Sequence, residues 1–232
     1  MTQPASPSHF DAQQAANYDD RWAPLAPLRD SLHLQIAMVL RELPSTAHLL
    51  CVGAGTGAEV LALARFYPEW RFTVVEPSLP MLEVCRRKAT EAGIAARCTF
   101  HGGYVDTLPV TTAAFDAATV LLVSHFITDR ATRTAFFREV AVRVRSGGWV
   151  ITADLTTAPD GRQARLFPVW QQLLRHAGAT AEQVQAMLAA YERDVSLLPE
   201  RELEALLEAA GFADPVRFSQ SLLIHAWFAR RP

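Results

Sequence analysis

The run His48-Leu-Leu-Cys-Val-Gly-Ala-Gly-Thr-Gly-Ala-Glu-Val60 sets three alternating glycines, Gly53, Gly55 and Gly57, directly behind a short apolar stretch. Such a turn binds ligands through its main chain. Gly53 permits the tight turn, Gly55 lets a ligand approach the backbone, and Gly57 lets the next helix pack close to the strand. The helix start that follows offers N–H groups without partners to an electron-rich ligand. Glu76 follows Gly57 by nineteen residues, near the ~20 at which an acid holds ribose hydroxyls. A carboxylate there accepts from both the 2′- and 3′-OH and suits a nucleoside with no 2′-phosphate. Gly53-x-Gly55-x-x-Ala58 also fits the dinucleotide fingerprint, so NAD is a candidate ligand on spacing alone.

These residues need a sheet to hold them. His48 to Val52 reads as a buried strand, and from Ala58 the positions Val60, Leu61, Leu63 and Ala64 take helical spacing. Trp70 to Val75 predicts a second strand closed by Glu76. Ser78 to Ala92 predicts a helix capped by Ser78, with Met81, Leu82 and Cys85 as its apolar stripe and Gly93 as its stop. Further strands are expected over Arg97 to Phe100, Phe115 to Val123 and Trp149 to Asp154. A helix is expected over Ala131 to Arg145, with Gly147-Gly148 leading into the fifth strand. This alternation implies a parallel, doubly wound sheet with right-handed crossovers. It stops from Thr156 to Ser196, where helical stretches near Gln163 to His176 and Ala181 to Arg193 suggest an inserted cap. A helix from Pro199 to Ala210, stopped by Gly211, precedes two strand-like runs within 214–229, parted near Ser219 to Ser221. Ahead of the first strand, residues 1–8 are expected to be a disordered tail, Phe10 to Tyr18 a short helix, and Arg29 to Glu42 a helix covering the sheet. The expected plan is an N-terminal helical arm or lid over 1–45, a Rossmann-like core over 46–155, a helical cap over 156–196 and a closing helix and strand pair over 197–232.

Cys51-Val-Gly-Ala-Gly-Thr-Gly57 resembles the first motif of class I S-adenosylmethionine-dependent methyltransferases of the small-molecule type. Val74-Val-Glu-Pro-Ser78 with Met81-Leu82 resembles their second motif. His101-Gly-Gly-Tyr-Val-Asp-Thr-Leu-Pro109, followed by Phe115-Asp116, looks like the third and fourth. The resemblance runs from Leu28 to the C-terminus with motif order intact. It implies an α/β fold, a mostly parallel seven-stranded sheet with helices on both faces and an antiparallel last strand. It also implies S-adenosylmethionine as cofactor and S-adenosylhomocysteine as product. The implied cofactor site comprises Gly53, Ala54, Gly55, Gly57, Glu76, Pro77, Met81, Gly103, Tyr104, Val105 and Leu121. Two positions depart from the family. Cys51 stands where an acidic residue usually lies near the methionine amino group, and Tyr104 where an acid often bonds the adenine amino group. Tyr104 can stack on the adenine instead. Tyr18-Asp-Asp-Arg-Trp22 resembles the Tyr-Asp element of N-terminal lids. Tyr18 and Trp22, with the cap aromatics Trp170 and Tyr191, are therefore the candidates for contact with a methyl acceptor.

An activated sulfonium donor leaves the protein mainly a task of alignment and water exclusion, and only a hydroxyl acceptor needs its proton removed. Of seven histidines, His125, beside Ser124 and just beyond the fourth strand, falls where open α/β sheets bind ligands. It is the candidate catalytic base, although capping a helix is the commoner role for a residue there. Three readings stay open: methyl transfer to a small molecule, a nicotinamide-dependent oxidoreductase, and a binder or an enzyme that modifies the cofactor itself. The chain shows no convincing Tyr-x-x-x-Lys pair for the second. For the third, Gly211-Phe212 with Arg217-Phe218-Ser219-Gln220 faintly resembles carboxy-S-adenosylmethionine synthases.

A chain of 232 residues, half of them apolar, suits one α/β domain with additions. A net charge of −2 supplies no basic field, so nucleic acid is not expected as a partner. Three cysteines with no Cys-x-x-Cys argue against a disulfide framework or a metal site and suit a reducing cytoplasm. No signal pattern or membrane-length apolar run is evident, so no membrane partner is expected. The expected assembly is a monomer or homodimer acting on a small molecule.

Overall fold

The computed structural model describes residues 11–110, 114–157 and 161–232. The expected tail over 1–8 lies outside them. The arm comprises α1 (Ala12–Trp22) and α2 (Ala26–Val39). The core alternates β1 (His48–Val52), α3 (Ala58–Phe66), β2 (Arg71–Glu76), α4 (Leu79–Glu91), β3 (Cys98–Gly102), β4 (Phe115–Leu121), α5 (Arg130–Ala141) and β5 (Val144–Thr157). The cap is α6 (Gln163–His176) and α7 (Ala181–Asp194). The chain closes with β6 (Leu198–Pro199), α8 (Glu200–Ala209), β7 (Ala213–Ser221) and β8 (Ile224–Arg230).

The strands form one sheet in the order β3-β2-β1-β4-β5-β8-β7, and the two-residue β6 pairs with β5 beside that path. Strands β1 to β5 run parallel, while β8 is antiparallel to both β5 and β7. The seven-stranded, mostly parallel sheet is therefore as expected, with β6 added. Successive residues of β1 face opposite layers, as strand geometry requires. Leu49 and Cys51 pack with Ile36 of α2, Leu63 of α3 and Leu82 of α4. Leu50 and Val52 pack with Phe137 of α5 and Leu206 of α8 on the other face. Strand order reverses between β1 and β4, and the crevice at their carboxyl ends is where such sheets place ligands.

Several boundaries differ from the sequence reading. The helix expected to reach Arg145 ends at Ala141, and β5 begins at Val144 rather than Trp149. Gly147-Gly148 thus lies inside the strand, where the β4–β5 register shifts between Phe115 and Ala117. A Cβ on Gly148 would sit 2.8 Å from the Asp116 carbonyl, so glycine serves a bulge here and not a helix stop. The β7–β8 turn falls after Ser221, where Leu222 takes a left-handed φ of 55°. In the arm, α1 runs on past Tyr18 to Trp22, and α2 begins at Ala26 and ends at Val39, with Pro27 in its first turn.

Candidate functional site

The glycine turn is built from packing on two sides and openness in the middle. Gly53, Gly55 and Gly57 have φ of 67°, 55° and 81°, in the left-handed region. A Cβ on Gly53 would lie 2.4 Å from Val123 Cγ2, in the loop after β4. One on Gly57 would lie 2.4 Å from Cys85 Sγ, so this glycine makes room for α4 and not for the strand before it. A Cβ on Gly55 would meet no heavy atom within 4 Å. The main chain at Gly55 is thus open to a ligand, as a nucleoside cofactor requires.

Glu76 ends β2 beside this turn. Its Oε2 accepts from Gly55 N at 2.9 Å and its Oε1 from Ser78 N at 2.9 Å. The side chain is buried, and burial raises its pKa against those two backbone bonds. Pro77 is half-buried next to it, and Gly103 N donates to the Glu76 carbonyl at 3.2 Å. Tyr104 is half-buried at the end of the loop that follows β3, and Leu121 is half-buried at the end of β4. Ala54 is buried within the turn. Met81 and Val105 are 2% and 1% exposed, so neither offers appreciable surface to a ligand.

The arm is latched onto the turn. Asp19 accepts from Thr56 Oγ1 and from Lys88 Nζ, both at 2.7 Å, and so ties α1 to the glycine turn and to α4. Tyr18 lies beside it; burial raises its phenol, reinforced by the charges of Asp19 and Glu76. One turn further along α1, Trp22 packs against the cap cluster that contains Trp170, Leu174 and Val184, with Tyr191 at its edge. A cavity of about 310 Å³ opens between arm and cap, bordered by Arg21, Trp22, Leu174, Gln183 and Met187. Of the four expected acceptor contacts, Trp22 borders this cavity. Trp170, 4% exposed, belongs to the interior of the cap, and Tyr18 sits near Asp19 and Glu76.

His125 lies in a short helical turn over Ser124–Phe126, and it is buried. Its Nδ1 is 2.9 Å from Asp154 Oδ1, and its backbone N donates to the same oxygen at 3.0 Å. Ser124 Oγ donates to Asp154 Oδ2 at 2.7 Å and accepts from Arg133 Nε at 2.9 Å. Arg133 Nη2 is 3.5 Å from Asp154 Oδ2, an ionic contact without a hydrogen bond. Burial alone would raise the Asp154 carboxyl, but His125, Arg133 and Ser124 together hold it below its ordinary value. Arg133 Nη1 also donates to the Ser196 carbonyl, and Ser196 N donates to the His125 carbonyl, so the cap's exit is fastened to this cluster.

Four residues of this region are not among the site candidates that the sequence offers. Asp154 closes the expected fifth strand, and Asp19 sits inside the Tyr18–Trp22 element, so both had a positional signal. Arg133 is a buried arginine on an ordinary amphipathic helix and had none. The fourth is Glu59, on the first turn of α3 and buried, with Thr119 Oγ1 donating to its Oε1 at 2.7 Å.

Residues 49–148 match the family model described as a methyltransferase domain. From β1 into β5 the chain is thus similar to methyltransferase domains, in keeping with the class I type. It is 29% identical over 190 residues to the Aspergillus terreus O-methyltransferase pgmB, covering 79% of this chain and 48% of that protein. The chain therefore spans about half the length of that relative. Over 205 residues it is 24% identical to a carboxy-S-adenosyl-L-methionine synthase of Campylobacter hominis, covering 88% of this chain and 86% of that one. The fold is shared with an O-methyltransferase family protein from Burkholderia thailandensis, at a TM-score of 0.66 and 14% identity, over 96% of this chain and 60% of the other. Outside the match lie α1 and α2 on one side and α6 to β8 on the other. Among the described residues no helix is long and apolar enough to cross a membrane.

Proposed function

We propose that the chain transfers the methyl group of S-adenosylmethionine to a small, largely apolar acceptor, most readily one with a hydroxyl group. The observation that carries this reading is the open main chain at Gly55, hydrogen-bonded to the buried Glu76 carboxylate at 2.9 Å. When bound, S-adenosylmethionine supplies a methyl group on a sulfonium, ready for in-line displacement. The chain's own residues hold and orient. Glu76 would hold the ribose hydroxyls, Pro77 and Tyr104 would lie beside the adenine, and the main chain of 53–57 would support the methionine end. Asp19 keeps the arm over the turn, which limits water. Asp154 accepts from His125 Nδ1–H, so Nε2 carries the lone pair and can take a hydroxyl proton. The acceptor is chosen by the arm and cap, where Trp22 and Met187 offer an apolar wall.

Incubation with methyl-labelled S-adenosylmethionine and a panel of small phenols, amines and thiols tests this reading. Label appearing on a phenol supports it; label that never leaves the sulfonium contradicts it. Modification of the donor itself is the second reading, favoured by the Campylobacter hominis relative, which the chain matches over most of its length. A product that keeps the label on a heavier sulfonium would decide for it. Thermal stabilisation by NAD and not by S-adenosylhomocysteine would decide for a nicotinamide enzyme.

A further inference from the structure

Glu59 is a buried titratable group that the mechanism above leaves unused. It sits two residues past Gly57, beneath the turn, between α3 and the carboxyl ends of β1 and β4. Thr119 of β4 donates to it at 2.7 Å, and Thr119 pairs in register with Cys51 of β1, whose thiol also faces it. Cys85 of α4 is the remaining titratable neighbour, and it feels the charges of both Glu59 and Glu76. Among the described residues no cation pairs with Glu59, and burial pushes its pKa up to about 7. A glutamine would satisfy Thr119 equally well without an acid to desolvate. An unpaired carboxyl in such a place gains its use when a positive charge arrives above it.

We propose that Glu59 is the counter-charge met by the cationic donor, and that it sets the preference for the sulfonium over its neutral thioether product. This rests on the cofactor reading given above. The ribose, adenine and amino-acid groups are common to donor and product, so titration of Glu76 or of the ligand's α-amino group weighs on both alike. Only the sulfonium differs. Ionisation of Glu59 should therefore tighten S-adenosylmethionine more than S-adenosylhomocysteine, and donor binding should expel a proton from a chain in which Glu59 is protonated.

The test is calorimetry of both ligands between pH 5.5 and 8.5, in two buffers of different ionisation enthalpy. For the wild-type chain the affinity ratio of donor to product should rise about tenfold across that range, the order of effect one nearby charge exerts at an effective dielectric constant near 20. At pH 6.5 more protons should be released with the donor than with the product. In Glu59→Gln the ratio should be flat in pH and the extra proton release absent. Thr119→Val removes a bond that favours the ionised form, so it should move the midpoint of the rise to higher pH; it serves if the Gln variant does not fold. A flat ratio in the wild type, or a rise that survives unchanged in both variants, would overturn the proposal. Binding of neither ligand to the wild type would overturn the cofactor reading, and this inference with it.

Discussion

Asp154 is the strongest single point at which to test how the His125 end of the sheet is held. It is fully buried and takes contacts from Ser124 Oγ, His125 N, His125 Nδ1 and Arg133. Asp154→Ala removes the only acid that pairs with Arg133 among the described residues, and that arginine is itself 1% exposed. Breaking a buried pair from one side costs about 3–5 kcal/mol, because the other charge stays buried and unpaired. Asp154→Asn keeps one oxygen acceptor and should cost about 1–3 kcal/mol. Adding Arg133→Met to Asp154→Ala removes the stranded charge and should restore about 1–3 kcal/mol of the loss. Urea unfolding, read from the midpoint at constant slope, measures all three. The Asp154 carboxyl is lowered from 3.8 in the folded chain, so its contribution is present above pH 3.8 and is lost as pH falls through the folded value. A loss under about 1 kcal/mol for Asp154→Ala, or a double variant no better than the single one, would refute the view that charge pairing organises this cluster.

Glu76→Ala should weaken S-adenosylmethionine binding by about 1–3 kcal/mol through lost charge-assisted bonds, and Glu76→Gln by less, as calorimetry can measure. Gly53→Ala should destabilise the fold by at least ~1–2 kcal/mol, the left-handed penalty alone, with further loss from the Val123 contact; unchanged urea unfolding would contradict the packing described. Trp170→Ala should cost the cap about 3–5 kcal/mol of stability, whereas Trp22→Ala should lower acceptor turnover with little change in S-adenosylhomocysteine affinity, so the two are told apart by unfolding and by kinetics.

How much of this was legible in the sequence depended on the range of the interaction. The turn at 53–57, the strand before it and the acid at 76 were legible because each is fixed by local chemistry: glycine dihedrals, an apolar run, a strand's length. The Ser78 cap and the two cap helices were legible for the same reason. The bulge at Gly147-Gly148 was not, because a glycine pair reads alike as a helix stop and as a place where two backbones approach. The β7–β8 turn was hidden because a leucine, Leu222, takes the left-handed conformation that sequence readers assign to glycine or asparagine. The site divided in the same manner. His125 was picked out by its position after β4, but the group that orients it, Asp154, is 29 residues away in sequence and reached across the sheet. Arg133 and Glu59 were hidden because a charged residue on an amphipathic helix is ordinarily on its wet face. The aromatic candidates showed the reverse: composition brought out Trp170, and the structure places it inside the cap.

The central claim is that the open glycine turn receives the nucleoside end of S-adenosylmethionine. The most direct measurement is calorimetry of S-adenosylhomocysteine binding to the wild-type chain and to Gly55→Val, with circular dichroism of both. A Cβ at Gly55 meets no protein atom within 4 Å, so the cost to the fold is the strain of a valine at a left-handed φ of 55° and no clash; the structure predicts a variant that is destabilised but folded, and a loss of binding, since that space belongs to the ligand. A folded Gly55→Val with wild-type affinity, or a wild-type chain that binds no S-adenosylhomocysteine, would contradict the account.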